Sequence, residues 1–335
     1  MNDRSRHFVA SICIALLIWL CAEGAHSLAA QKNETPWSEI SPPINELLRS
    51  GHVEEAVEKA QHNVKQVREK FGPSHPELAT AMSQLGRVYQ ALNRFDEAAM
   101  LYSQALEIRK GSLGITHPGV AVSEFDLAYN YREAGKYPRA ASLYEQALST
   151  MEKAKGSTHR DVAIVLHDLA ILRNFQIKDI EAEALIKRAI AIREASVDAT
   201  PHERVGSFVV LGQIYEQQGK NSDARASYDN ALKIMDGTKL SEDYTAGVLC
   251  FAIGNLESRR RNFQEADRFY GRSLKVLEAA SGPDSPALGP VLQGRANVLR
   301  ELNRQEEATA AEARANALLK QYYENSPTAP SSPAH

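Results

Sequence analysis

Cysteine is scarce in the sequence, and the positions of the few cysteines limit how the protein can be stabilised. There are three in 335 residues, and Cys13 and Cys21 both lie within the first thirty. Removal of that N-terminal segment would leave Cys250 alone, so an internal disulfide could not form. We therefore expect a fold that depends on packing, with Cys250 as a buried core thiol rather than a redox centre.

A surplus of positive charge is also lacking. The 39 Lys and Arg residues are balanced by 42 Asp and Glu residues, which gives a formal net charge of -3. Because a nucleic-acid-binding protein needs a basic surface to neutralise phosphates, nucleic acid is not an expected partner. The hydrophobic fraction of 43% is sufficient for a folded globular protein.

The sequence also lacks an apolar run of the length that crosses a membrane. The run from Phe8 to Ala22 has 15 residues, whereas a spanning helix needs about 20. Two arginines precede the run and small residues follow it, which is the pattern of a signal peptide cut after Ala29 or Ala30. We predict a signal peptide over residues 1–30, a linker over 31–41, and a periplasmic or secreted mature protein. The alternative is that the apolar run is retained as an anchor.

A 42-residue period runs through the rest of the chain. One column of alanines recurs at this spacing, at Ala56, Ala98, Ala140, Ala182, Ala224, Ala266 and Ala308. Further columns hold small, aliphatic and aromatic residues, at Ala105, Ala147, Ala189, Ala231, Ser273 and Ala315, at Leu85, Leu127, Leu169, Leu211 and Ile253, and at Tyr102, Tyr144, Tyr228 and Tyr270. Such a period predicts a stack of repeated supersecondary units that bury their apolar faces against each other.

Each unit reads as two helices, because its apolar residues recur three, four and seven apart. The turn between the two helices carries glycine or asparagine in most units, and these residues accept the left-handed backbone that ends a helix. Ile177 and Arg261 occupy the same turn position, so we expect those two turns to be reshaped or strained. The repeats are predicted over residues 42–323, as about six full units after a truncated first one, and residues 324–335 form a disordered tail by composition.

These columns resemble the tetratricopeptide repeat family, which places Leu-Gly/Ala and Tyr on the first helix and Ala, an aromatic and Ala on the second. The period and the joints at residues 72–76 and 114–118 resemble the kinesin light chain variety. The resemblance implies an all-α, right-handed superhelical α-solenoid of tandem helix-turn-helix repeats, in which first helices line a concave groove for a peptide or partner helix. Cargo transport is not carried over, because kinesin light chains are cytosolic and this chain has an export signal.

The candidate partner-binding residues are the first-helix positions that flank the packed Leu and Tyr columns. They are Arg87, Gln90, Tyr129, Arg132, His167, Asn174, Gln213, Glu216, Phe251, Asn255, Asn297 and Arg300. Amides and guanidiniums can pair with the main chain of an extended ligand, and Tyr129 and Phe251 can anchor apolar side chains. The other interpretation is that these are ordinary solvated helix positions.

Residues that suggest catalysis or metal binding have simpler explanations. His75, His117 and His159 recur at the repeat spacing, but helix pairs stand roughly 8 to 10 Å apart, too far to share one ion. We therefore interpret them as loop residues. His167 and Asp168 are neighbours along a helix and point to different sides, so they do not predict a catalytic pair. No catalytic, cofactor-binding or metal site is predicted, and the protein is not expected to be an enzyme.

The sequence therefore favours an exported scaffold or adaptor that binds a protein or peptide in a groove, without stable membrane insertion after signal cleavage. The alternative is a structural or assembly factor that self-associates into a homo-oligomer through exposed edges. A small-ligand receptor or an enzyme has no group of residues in its favour.

Overall fold

The computed structural model describes residues 42–325, and within this range the chain forms α-helices, one short 3-10 helix at Lys239–Glu242, and no strand. The helices are α1 (Pro42–Arg49), α2 (Val53–Phe71), α3 (Pro76–Ala91), α4 (Phe95–Leu113), α5 (Pro118–Glu133), α6 (Tyr137–Lys155), α7 (Arg160–Phe175), α8 (Asp179–Ala195), α9 (Pro201–Gln217), α10 (Asn221–Asp236), α11 (Tyr244–Arg259), α12 (Phe263–Ser281), α13 (Leu288–Glu301) and α14 (Gln305–Asn325). The predicted signal peptide, the linker and the tail from residue 326 onwards lie outside the described residues. Helix α14 extends two residues into the segment that was assigned to the tail.

The described residues divide into two compact units, an N-terminal unit over 42–218 and a C-terminal unit over 219–325. In the N-terminal unit, the pairs α1–α2, α3–α4, α5–α6 and α7–α8 pack in chain order and α9 follows them. In the C-terminal unit, α10 is followed by the pairs α11–α12 and α13–α14. Each unit is an α-solenoid of helix-turn-helix repeats, as the period predicts.

Small side chains at the helix contacts set this packing. All seven alanines of the first column are 0% exposed, and the four tyrosines of the aromatic column are at most 1% exposed. A Cβ atom built on Gly254 would lie 2.7 Å from Cδ1 of Tyr270, so only glycine fits at this contact without movement. Axes can approach to roughly 8 Å where the contact residues are this small, and the tyrosines fill the space beside them.

Three first helices begin at a histidine cap. His75, His117 and His159 each accept a hydrogen bond at Nδ1 from the backbone N–H two residues ahead, at 3.2, 3.0 and 3.1 Å. They are the loop residues that the sequence predicted, and each satisfies one of the free N–H groups of the first helical turn. This capping role was not predicted.

The turns at Ile177 and Arg261 keep the conformation of the other repeats. Their φ angles are 58° and 63°, close to the 58° of Asn93 in the equivalent turn. The N–H of Ile177 donates to the carbonyl of Asn174 at 3.0 Å, as the N–H of Asn93 does to Gln90 at 2.9 Å. These two turns are therefore strained rather than reshaped, and left-handed backbone at an ordinary L-residue costs about 1–2 kcal/mol.

The strain at Ile177 predicts that Ile177→Asn stabilises the protein. Asparagine occupies this turn position at Asn93, and Ile177 is 75% exposed, so the substitution sacrifices little burial. We expect the free energy of unfolding to rise by about 1 kcal/mol in urea titration. The matched control is Ile180→Asn on α8, where the side chain is 85% exposed and the backbone is helical, and which should change stability by less than about 0.5 kcal/mol. Equal effects of the two substitutions would contradict the strain.

Candidate functional site

The predicted partner-binding residues of the N-terminal unit lie on α3, α5, α7 and α9. These first helices contact one another from repeat to repeat, whereas the second helices α4, α6 and α8 lie farther from each other. The first helices therefore form the inner layer of this unit. We call the side of this layer that carries the predicted residues the first-helix face, and it consists of Arg87, Gln90, Tyr129, Arg132, His167, Asn174, Gln213 and Glu216.

Two arginines of this face are held by carboxylates on the next first helix. Arg87 Nη2 lies 3.2 Å from Asp126 Oδ1, and Arg132 Nη1 lies 2.6 Å from Asp168 Oδ1. The side chains of Asp126 and Asp168 are only 3% and 14% exposed. The guanidiniums that were predicted to face a ligand thus also tie neighbouring repeats together.

Tyr129 lies beneath one of these guanidiniums. The Arg132 guanidinium carbon is 4.4 Å from the centre of the Tyr129 ring. The ring of Phe125 stacks on the Tyr129 ring, with 6.4 Å between the two ring centres. Burial, with a further contribution from Glu133, raises the pKa of Tyr129 to about 12, so its phenol stays protonated. The ring is half-buried and offers a partly exposed apolar surface.

Two predicted amides accept hydrogen bonds from the buried tyrosine column. Tyr102 donates its hydroxyl to Gln90 Oε1 at 2.9 Å, and Tyr270 donates to Asn255 Oδ1 at 2.7 Å in the C-terminal unit. The amide nitrogen of Asn255 is buried and makes no hydrogen bond within the described residues. One end of each amide side chain therefore satisfies a buried tyrosine hydroxyl of the core.

His167 contacts an arginine from a second helix. Nη1 of Arg193 lies 3.2 Å from Nδ1 of His167. Since a guanidinium can only donate, Nδ1 must be the acceptor and the imidazole is neutral. Burial, followed by the positive charges of Arg193 and Arg132, lowers the pKa of His167 well below 6.5.

The remaining residues of the first-helix face are half-buried. The Oδ1 atom of Asn174 is buried and has no hydrogen-bond partner among the described residues. Gln213 and Glu216 are partly exposed on α9. These three side chains therefore lie on the first-helix face and are not part of the buried core.

The predicted residues of the C-terminal unit are more varied. Phe251 is 4% exposed, and its ring packs 6.0 Å from that of Tyr270, so its surface is already covered. Asn297 is exposed and accepts a hydrogen bond from Arg300 Nη1 at 3.1 Å, and Arg300 also pairs with Glu312.

Sequence reasoning missed two buried arginines on second helices, Arg109 and Arg193, which are 6% and 5% exposed. A signal was present in two columns of the period. The second-helix column reads Arg109, Met151, Arg193, Met235 and Leu277, and the column of the following first helix reads Ser123, Val165, Ser207, Leu249 and Val291. Each arginine thus coincides with a serine, and each apolar residue with an apolar one.

The remaining candidate features are the cysteine, possible metal-binding groups and possible membrane spans. Cys250 is fully buried, as predicted, and burial raises the pKa of its thiol to about 11. Within residues 42–325, no group of three or more His, Cys, Asp or Glu side chains is arranged to hold a metal ion. None of the helices in that range combines the length and apolar character of a membrane span.

Comparison with known families supports the repeat assignment. The family model described as tetratricopeptide repeat matches residues 47–111, 94–153, 119–195 and 244–321, and a second model of the same description matches 205–234. The first model alone covers more than half of the chain. No curated protein matches the chain.

Several solved structures are similar. BtubC (BKLC) from P. vanneervenii is 23% identical with a TM-score of 0.54, over 71% of this chain and 92% of that one. The nearly identical TPR-like repeats assigned to a kinesin light chain of Podosopora anserina are 25% identical with a TM-score of 0.51, over 58% and 92%. The apo form of RapI is 13% identical with a TM-score of 0.62, over 84% and 97%. The likeness to BtubC and RapI shows the fold alone.

The neutral state of His167 predicts a pH-dependent stability. In the unfolded chain the imidazole takes up a proton near pH 6.5, whereas in the folded protein it does so only at much lower pH. Below about pH 6.5 the unfolded state therefore binds more protons, and this residue destabilises the fold by up to about 1.4 kcal/mol for each further pH unit. The contribution of neutral His167 is complete above that pH.

Urea titrations between about pH 5 and 7 check this linkage. In His167→Gln the amide can still accept from Arg193, and the loss of stability towards acid should be smaller than in the parent protein. His62→Gln, which replaces a histidine at an exposed position of α2, is the matched control, and the His167 variant should lose less stability towards acid than this control does. An identical slope in the His167 variant would show that His167 is not the titrating group.

Proposed function

Because the chain belongs to the tetratricopeptide repeat family, whose members generally bind protein partners, we propose that it is an exported scaffold or adaptor. It binds a peptide or a segment of a partner protein on the first-helix face. The observation that carries this proposal is a layer of first helices linked by ion pairs between repeats and lined by half-buried polar and aromatic side chains.

The ion pairs supply a preformed surface. Arg87–Asp126 and Arg132–Asp168 each connect one first helix to the next, so the helices cannot rotate independently without breaking a buried pair. Binding loses less free energy to ordering when the receptor is already ordered. A ligand along this face would meet side chains that are already in place.

The groups on the face suit an extended chain. Asn174 Oδ1 has no hydrogen-bond partner within residues 42–325, and a backbone N–H of a ligand would satisfy this acceptor. The half-buried ring of Tyr129 offers an apolar surface for an alternate side chain. Main-chain hydrogen bonds and one apolar contact are the elements with which extended peptides are commonly recognised.

Export is proposed on the N-terminal sequence alone. Basic residues, an apolar run of 15 residues and small residues around Ala29 and Ala30 follow each other in the order of a cleavable signal. The mature protein is therefore proposed to act in the periplasm or outside the cell. Its partner would be another protein of that compartment.

Site-specific photo-cross-linking tests the binding face. We expect p-benzoylphenylalanine at Gln213, on the first-helix face, to give one discrete cross-linked product in the native compartment, because a bound segment would lie against α9. The product is detected on a gel and identified by mass spectrometry.

The matched control carries the same group at Gln146, which is exposed on second helix α6. That position should give no such product. Equal labelling from both positions, or none from Gln213, would contradict a first-helix binding face, and a product of two copies of the chain would identify self-association instead.

Cell fractionation tests export. The chain with a C-terminal tag should appear outside the cytoplasm with a mass that lacks the first 29 or 30 residues. Leu16→Arg places a charge in the apolar run, where insertion is disfavoured by about 2.5 to 3.5 kcal/mol, and should leave an uncleaved cytoplasmic protein. Ser38→Arg adds the same charge in the predicted linker and should be exported normally. An uncleaved, cytoplasmic parent protein would refute the signal peptide.

A further inference from the structure

Helix α1 is half the length of the other first helices of the N-terminal unit. It has 8 residues, whereas α3, α5 and α7 have 16 each. In the 42-residue register, residues 34–41 stand where residues 76–83 form the first half of α3. Helix α1 begins at Pro42, and helical backbone is disfavoured at a residue that precedes a proline. Within residues 42–325, no first helix therefore pairs with the second half of α2.

Apolar side chains on this half of α2 are less completely buried than their counterparts. Val64 and Val67 are half-buried, with one side against the buried residues of α3, and Phe71 is 42% exposed. The counterparts of Val67 in later repeats are at most 6% exposed, and they are Arg109, Met151, Arg193, Met235 and Leu277. The end of α2 thus carries apolar surface that the complete repeats cover.

In complete repeats, a small residue of the first helix lies against this position of the second helix. At Gly247 on α11, a Cβ atom would lie 2.6 Å from Cδ2 of Leu277 on α12. In the first repeat these two positions are held by Trp37 and Val67. The first-helix residues at this position in the N-terminal unit include Ala79, Ala121 and Ala163, all 0% exposed. The usual sizes are therefore reversed in the first repeat, with the large residue before α1 and a smaller one on α2.

The structure shows the same reversal at the neighbouring contact. In the second repeat Gly86 lies against Tyr102, and a Cβ atom on the glycine would lie 3.0 Å from Cε1 of the ring. The counterparts in the first repeat are Ile44 and Ala60, which are each 2% exposed and belong to one buried cluster. The large residue of α1 thus fills the space that the small residue of α2 leaves. The pair at the end of α2 has the same exchange of sizes.

We propose that Trp37 docks on the second half of α2, against Val67, and closes the truncated first repeat as an intramolecular cap. Trp37 lies five residues before Pro42, and an extended chain of that length spans about 16 Å. Val67 lies seven residues beyond Ala60, which is roughly 10 Å along a helix. The segment is therefore long enough to reach, and an indole can bury about 150 to 250 Å². This surface is separate from the first-helix face, so the proposal does not depend on the proposed function.

Tryptophan fluorescence measures this contact directly, because the sequence has only two tryptophans, Trp19 and Trp37. In the variant Trp19→Phe the emission comes from Trp37 alone, whether or not the signal peptide is removed. We expect the emission of the folded protein to be blue-shifted from that of the urea-unfolded chain, with several-fold weaker quenching by acrylamide. Emission and quenching equal to those of the unfolded chain would overturn the proposal.

Substitution of Val67 tests where the indole docks. In the Trp19→Phe background, Val67→Ser should shift the emission to the red and restore quenching, while circular dichroism shows unchanged helix content. The matched control is Val57→Ser, which changes another half-buried valine of α2 that packs in the cluster of α1 and should leave the emission unchanged. Identical spectra for the parent and the Val67 variant would overturn the proposed contact, as would equal red shifts in both valine variants.

Urea unfolding followed by circular dichroism gives a second measurement that leaves α2 unchanged. Trp37→Ser should lower the urea midpoint, because it exposes the end of α2, whereas Trp37→Phe should keep most of the midpoint, because an aromatic ring still covers that end. Ser38→Ala, at the next residue, is the control and should have no effect. A Trp37→Ser variant as stable as the parent would refute the cap.

Sedimentation at several protein concentrations distinguishes the cap from a contact between two copies. We expect the blue-shifted emission to be independent of concentration and to persist where the protein sediments as a monomer. A blue shift that appears only where the chain dimerises would mean that a second copy covers α2, and the intramolecular cap would be wrong.

Discussion

The close approach of helices at the alanine columns is the constraint on which each unit depends. Because those alanines are fully buried, the neighbouring tyrosines are forced into the core with their hydroxyl groups. A buried hydroxyl is stabilised by a hydrogen-bond partner, and Gln90 and Asn255 on first helices supply one to Tyr102 and Tyr270. The hydroxyl of Tyr144 has none among the described residues. Packing of small residues therefore dictates some of the polar residues that line the first-helix face.

A second layer of organisation is electrostatic. The side chains of Arg132 and Asp168 are 9% and 14% exposed, so their attraction is weakly screened and removal of either partner would leave a poorly solvated charge. The same guanidinium covers the ring of Tyr129. The face is thus fixed by contacts between repeats, whereas the helix pairs themselves are fixed by contacts within repeats.

The period predicted the helices, their pairing and the buried columns, because these depend on spacing along one chain. It also predicts a set of first-helix positions for a partner-binding face, but not the contacts that their side chains make with one another. The partners of Arg87 and Arg132 are 39 and 36 residues away, and their contact depends on how far successive helices rotate. For Ile177 the sequence predicts either a reshaped turn or a strained one. It shows a residue unsuited to left-handed backbone, but it does not show whether the backbone keeps that conformation. The arginine and serine columns are present in the sequence, but a buried cation departs from the usual apolar pattern, so hydrophobic periodicity does not identify it.

A strictly periodic groove has a difficulty that departures from the period resolve. If every repeat offered the same groups, a partner could shift by one repeat and lose only its end contacts. Arg109 and Arg193 with Met151 between them depart from the period at one buried position, so successive repeats are not equivalent. Alternation of charged and apolar residues at one repeat position can therefore distinguish one register of a bound partner from the next, which uniform repeats cannot do.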